Sequence, residues 1–107
     1  MNTITNNNIK CSVALAGLET VYDPEIGLNV VNLGLIYEIR FLEEEKKVVC
    51  TMTLTTQFCP MGESITDGVQ QSLQASFPEE TIEIKLTFEP AWSYELISET
   101  GRQFLNR

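Results

Sequence analysis

The chain reads as a single α/β (α+β) domain, with elements in the order α-β-β-α-β-α around a small, mostly three-stranded mixed sheet. Three observations predict it. Residues 48–56 alternate cleanly, Val48, Cys50, Met52 and Leu54 against Val49, Thr51, Thr53 and Thr55, which is the period of a strand with one buried face. Residues 60–77 step by four through Met61, Ile65, Val69, Leu73 and Phe77, with Gly68, Ser72 and Ser76 beside them, as in a helix lying close on a sheet. A helix of that length between two strands favours a crossover that leaves them parallel, while the charged run Glu43-Glu44-Glu45-Lys46-Lys47 is a solvated hairpin connection. Parallel and antiparallel neighbours together make the sheet mixed.

The remaining elements follow in order. Asn6 to Asn8 offer caps for a first helix from about Ile9 to about Val21, with Cys11, Ala14, Leu15, Leu18 and Val21 on one stripe; Asp23-Pro24 stops it. Residues 22–35 form a structured loop rich in Gly, Pro and Asn, with a short extended piece at Asn29 to Val31. Leu35 to Leu42 is a strand with Tyr37, Ile39 and Phe41 on one face and Glu38 and Arg40 on the other. After Pro78-Glu79-Glu80, Thr81 to Phe88 is the third strand, with Ile82, Ile84, Leu86 and Phe88 inward. Trp92 covers the core. The last helical segment is capped by Ser93 or Ser98 and packs through Leu96, Ile97, Gly101, Phe104 and Leu105.

Composition limits the function. With 107 residues the chain can bury one core without disulfides, and 43% hydrophobic with 21% charged residues is ordinary for a globular fold. A net charge of −8 argues against nucleic acid or an anionic membrane as partner, and leaves a basic protein or a metal cation. Residues 1–8 are polar, without a charged n-region or an apolar h-region. They are read as a flexible N-terminus ahead of a domain at 9–107, in a protein expected to be cytoplasmic.

The chemistry centres on one thiol. There is no histidine, which removes Ser-His and Cys-His nucleophile pairs and His-based zinc sites. Of three cysteines, Cys11 and Cys50 fall on apolar stripes and read as core, with no Cys-x-x-Cys and an odd count arguing for reduced thiols. Cys59 directly precedes Pro60, a residue suited to the first position of a helix, so it stands at or beside an N-cap where unpaired amides and the helix dipole favour a thiolate. The hydroxyls of Thr55 and Thr56 are positioned just ahead of it to donate to a thiolate or an anionic ligand. Asp23 and Glu25 have two readings, as turn caps or as oxygen ligands near the thiol. A lone thiolate without a base makes a poor hydrolase but a good soft-metal ligand or a redox thiol. It cannot hold an iron–sulfur cluster alone, so further ligands would come from Asp23, Glu25, a second copy or a partner.

Asp23-Pro24-Glu25, the run Asn29 to Tyr37, Thr53-Leu54-Thr55-Thr56, Cys59-Pro60-Met61-Gly62 and Pro90-x-Trp92 occur together and in order, followed by Ile97-Ser98-Glu99 and Gly101-Arg102. Over roughly Val13 to Leu105 the chain thereby resembles the metal–sulfur cluster biosynthesis family (domain-of-unknown-function family 59), which includes SufT-like and PaaD-like iron–sulfur assembly proteins. The resemblance implies a two-layer domain with helices on one face of the sheet, and a role in maturing iron–sulfur proteins. It also implies one pocket lined by Asp23, Glu25, Thr55, Thr56 and Cys59. Three departures stand out: Asn32 replaces an acid usual before Leu-Gly, Gln57-Phe58 is bulkier than the usual approach to the cysteine, and no cysteine-rich tail follows.

The resulting expectations are a non-enzymatic assembly factor that uses Cys59 to hold iron or a cluster transiently, with Cys59, Asp23 and Glu25 as its ligands. Iron–sulfur client proteins, an assembly scaffold and a second copy of the chain are the expected partners. A thiol redox protein and a client adaptor are the alternatives. Two carboxylates near a thiolate would raise its pKa, an arrangement that makes sense around a bound cation.

Overall fold

Asn7 opens the first helix. Its side-chain oxygen accepts from the Lys10 amide at 3.0 Å, and α1 runs Asn8–Leu18 in the computed structural model, which describes residues 3–55 and 62–105. The helix ends a turn earlier than the sequence suggests, and not at Asp23-Pro24. The Thr20 hydroxyl donates to the Gly17 carbonyl at 2.8 Å and the Val21 amide to Leu18 at 3.0 Å, tightening the last turn and turning the chain away.

The hairpin follows as expected. β2 (Ile36–Leu42) and β3 (Lys47–Met52) pair antiparallel, joined by a 3-10 turn at Glu43–Glu45 with Lys46 in the left-handed region at φ 51°. α2 (Gly62–Ser76) then crosses to β4 (Thr81–Leu86), which lies parallel to β3. A second 3-10 turn (Tyr94–Leu96) and α3 (Glu99–Leu105) complete the chain.

Among the described residues the sheet has four strands where the sequence suggests three. Ile4–Thr5 forms β1, parallel to β2, giving the order β1-β2-β3-β4. So short a strand leaves no readable alternation. It is extended by Asn6, whose side-chain amide donates to the Phe41 carbonyl at 2.9 Å and accepts from the Phe41 amide at 2.8 Å, imitating one more rung.

The core lies between the sheet and α1 and α2. Cys11, Ala14 and Leu18 from α1 and Ile65, Val69 and Leu73 from α2 close on Ile36, Ile39, Phe41, Val48, Cys50 and Met52. Each such large side chain contributes roughly 1.5–3 kcal/mol on burial. The helices approach closely because Gly17 has no Cβ; one there would stand 3.1 Å from the Ser72 and Ser76 hydroxyls.

Four sequence readings are corrected. Tyr37 does not share the face of Ile39 and Phe41: the register shifts between Ile36 and Glu38, a bulge that puts Ile36 in the core and Tyr37 beside Glu38. Thr53 is not on an open face but fully buried, because β3 ends at Met52 and the Thr53 amide turns to the Leu35 carbonyl at 2.9 Å. β4 stops at Leu86, which is 46% exposed, because its last partner on β3 is Met52. The hairpin charges are also used. Glu43 takes the Lys10 ammonium at 2.7 Å, and Lys47 reaches Glu83 on β4 at 2.6 Å.

Candidate functional site

Asp23 organises its own loop. It is 2% exposed, and its Oδ1 accepts from the Glu25 amide at 2.9 Å and the Ile26 amide at 3.3 Å. Its backbone amide donates to Leu28 and its carbonyl accepts from Gly27, which stands at φ 84°. This is an Asx turn, in which a short carboxylate supplies the acceptor that the tight loop lacks. Glu25 contributes its amide to that turn and is itself exposed. Thr55 is half-buried beyond the end of β3. Thr56 and Cys59 lie outside the described residues, and with them the expected grouping of Cys59 with Asp23 and Glu25. Among the described residues no three Cys, Asp or Glu side chains stand together as a metal site.

The loop is tied down by the C-terminal segment through contacts that the sequence reading did not foresee, although it offered Ser98 as a cap and Trp92 as core cover. Asn29 Oδ1 accepts from the Asn32 amide at 2.8 Å. The Ser98 hydroxyl donates to Asn32 Oδ1 at 2.8 Å and accepts from the Gly101 amide at 3.0 Å, which makes Ser98, not Ser93, the N-cap of α3. The Ser98 amide donates to the Asn32 carbonyl at 2.8 Å. Asn32, where an acid is usual in the family it resembles, is thus a docking post for α3. The Trp92 indole N–H donates to the Leu33 carbonyl at 2.6 Å, and the Tyr37 hydroxyl to the Pro90 carbonyl at 2.8 Å. Burial pushes the Tyr37 phenol up, opposed by a hydrogen bond with Thr53. The signal for this clamp was present in Gly34, which stands at φ 76° and lacks the Cβ that would collide with Leu96.

Two grooves flank the loop. One, of about 610 Å³, runs between α1 and α2 and is lined by Tyr22, Thr20, Ser64, Gly68 and Ser72 among others. It brings Tyr22, next to Asp23, and Ser64, in the first turn of α2, onto one surface. The second, of about 530 Å³, lies under the clamp and includes Ile36, Tyr37, Pro90, Leu96 and Glu99.

The two described thiols are unsuited to chemistry. Cys50 is fully enclosed, and burial, with a smaller contribution from nearby Cys11, pushes it up to about 12. Cys11 is raised by burial, partly offset by a hydrogen bond with Thr5.

A two-layer α+β domain with this order of strands and a capped Asp-Pro-Glu loop defines a class, and sequence comparison supplies its name. Residues 12–86 match the model of the iron–sulfur cluster assembly protein family, and the chain belongs to that family. It is similar to an Fe-S protein maturation auxiliary factor of Porphyromonas gingivalis, 42% identical over 82 residues that make up 77% of each protein. It is also similar to the Fe-S protein maturation auxiliary factor SufT of Staphylococcus aureus, 42% identical over 81 residues, 73% of this chain and 88% of that one. The crystal structure of a domain of unknown function from Bacillus anthracis matches with a TM-score of 0.83 at 36% identity, covering 92% of both chains.

Proposed function

We propose that this protein is a maturation factor for iron–sulfur proteins, a carrier and not a catalyst, with Cys59 holding iron or a cluster as transient cargo. Its membership of the assembly family and the names of its relatives support the reading. The observation that carries it is the enclosure of Cys11 and Cys50, which leaves Cys59 to serve as the soft ligand. Thr55 and Thr56 donate to the anionic sulfur, and Asp23 and Glu25 balance the cation. One thiol per chain requires that the remaining ligands come from a second copy, the assembly scaffold or the client that receives the cargo. The acidic surface, −8 overall, suits clients with basic docking faces. Among the described residues no helix is long and apolar enough to cross a membrane.

The test is anaerobic transfer of iron and sulfide from the loaded protein to an apo-client, with the protein-bound iron measured beforehand. Cys59→Ser is expected to lose both loading and transfer, while Cys50→Ala, a core change, keeps them at a temperature where it remains folded. Asp23→Asn, which preserves the acceptor of the Asx turn, is expected to weaken loading without loss of fold. Transfer undiminished in Cys59→Ser would leave the protein as an adaptor and overturn the carrier role.

A further inference from the structure

β4 is the outer strand of the sheet, and among the described residues no strand pairs with its free edge. The direction of its main-chain groups follows from its two ends. The Thr81 amide donates to the Lys46 carbonyl at 2.8 Å and the Thr87 amide to Met52 at 2.9 Å. In a parallel pair the residues so engaged alternate along the strand, so 81, 83, 85 and 87 turn their amides and carbonyls to β3. Ile82, Ile84 and Leu86 turn theirs outward. Their side chains lie on the other period: Ile82 is buried, Ile84 half-buried and Leu86 46% exposed, while Glu83 and Lys85 stand on the opposite face.

We infer that β4 is a self-complementary edge that pairs antiparallel with β4 of a second copy, across a two-fold axis at Ile84. That register sets Ile84 against its own copy and Ile82 against Leu86, and both pairs use the outward amides and carbonyls. It also sets Glu83 against Lys85 of the other copy, at a position without main-chain hydrogen bonds, where side chains across an antiparallel pair come closest. The alternatives are worse. A shift by one residue opposes an outward residue with one already bonded to β3. A shift by two opposes Glu83 with Glu83, or Lys85 with Lys85. A second copy supplies both the matching charge order and the matching apolar row. Within one copy Glu83 bridges Lys47 of β3 at 2.6 Å and lies 3.9 Å from Lys85, so the cross-axis pair has to share Glu83 with Lys47. Leu86 loses its exposure against Ile82 of the other copy. The inference is independent of the cargo reading, because it concerns assembly alone.

Sedimentation equilibrium of the full chain up to high micromolar concentration tests it. The parent is expected to dimerise reversibly, with amide exchange at Ile84 and Leu86 slowing as concentration rises. Glu83→Lys and Lys85→Glu each create two like-charge oppositions across the axis, and each is expected to weaken the dimer about tenfold. The two single variants mixed in equal amounts restore the Glu–Lys order and re-associate as a heterodimer, and so does the double variant with itself. Losing the Lys47 bridge cannot mimic this, because neither mixing nor the double swap repairs that bridge. A parent that stays monomeric overturns the inference, as does a dimer indifferent to both swaps or a mixture that fails to re-associate; charged Glu83 and Lys85 would then be guards against edge pairing.

Discussion

The helix-covered hairpin and the loop-plus-tail clamp are stabilised by different physics. In the first, α1 and α2 press rows of apolar side chains onto β2 and β3, and Leu18, Val69 and Leu73 are fully enclosed. Many contacts share the load, and none depends on a particular angle. In the second, residues 22–37 and 88–105 are held by a few directional bonds: Asp23 to its own loop amides, and across the two segments Asn32 to Ser98, Trp92 to Leu33 and Tyr37 to Pro90. Here each polar atom needs its partner, because a buried group left unpaired costs more than a made bond contributes. The difference teaches that the clamp, which carries Asp23, depends on the chemistry of single groups, where the hairpin layer depends on the sum of its packing.

The largest effect is expected in the hairpin layer. Leu73→Ala removes a fully enclosed side chain from α2 and should cost about 2–5 kcal/mol in urea unfolding. A loss below about 1 kcal/mol would mean that the layer collapses around the cavity and is looser than described.

Gly34→Ala breaks the clamp by backbone alone. A Cβ there meets the Leu96 carbonyl, and φ 76° is unfavourable for alanine, so a loss of order 2–3 kcal/mol is expected. Amide exchange should show α3 opening well before α1 and α2. Uniform loss of protection across all three helices would make the two regions one cooperative unit.

Asn32→Ala is a smaller probe of the same region. It removes the acceptor of the Ser98 hydroxyl but leaves the Ser98 cap on Gly101, and about 1 kcal/mol is expected. Asn32→Asp sharpens the point: it restores the acceptor and the acid usual in the family it resembles, so it should keep the parent's stability at neutral pH. A drop equal to that of alanine would show that the amide group is needed for something beyond accepting from Ser98.

The smallest effect belongs to the surface pairs that strap the hairpin layer. Hydrogen bonding to Lys10 holds Glu43 below the usual carboxylate range, and hydrogen bonding to Lys47 does the same for Glu83. Their contribution is therefore present above the ordinary carboxylate pKa and fades as pH falls through the lowered folded values. The lysines are raised by the same bonds, so their share is present below the ordinary lysine pKa and is lost as pH rises through the folded values. Glu43 is exposed and Lys10 only half-buried, so Glu43→Gln should barely alter stability at neutral pH and should slightly flatten its acid limb. A marked loss at neutral pH would assign the Lys10–Glu43 pair a structural weight that its exposure does not suggest.

What the sequence determined by itself was everything that repeats. Periods of two and of three to four located β3, α1 and α2, put Cys11 and Cys50 inside, and made the sheet mixed. The ordered set of short motifs pointed to the iron–sulfur assembly family. Burial imposes such patterns locally, so they survive in one dimension. Tertiary structure decided what has no period. The bulge at Ile36/Glu38 moved Tyr37 off the core face, because an extra residue in one strand is invisible until its partner is known. β1 exists only because β2 offers an edge and Asn6 imitates a rung. Asp23 has the same residue type whether or not it caps a turn, and only the loop amides converging on Oδ1 reveal that it does. Asn32 and Ser98, 66 residues apart, form one contact that no local pattern encodes, since its cause is the meeting of two surfaces and not the spacing of a chain.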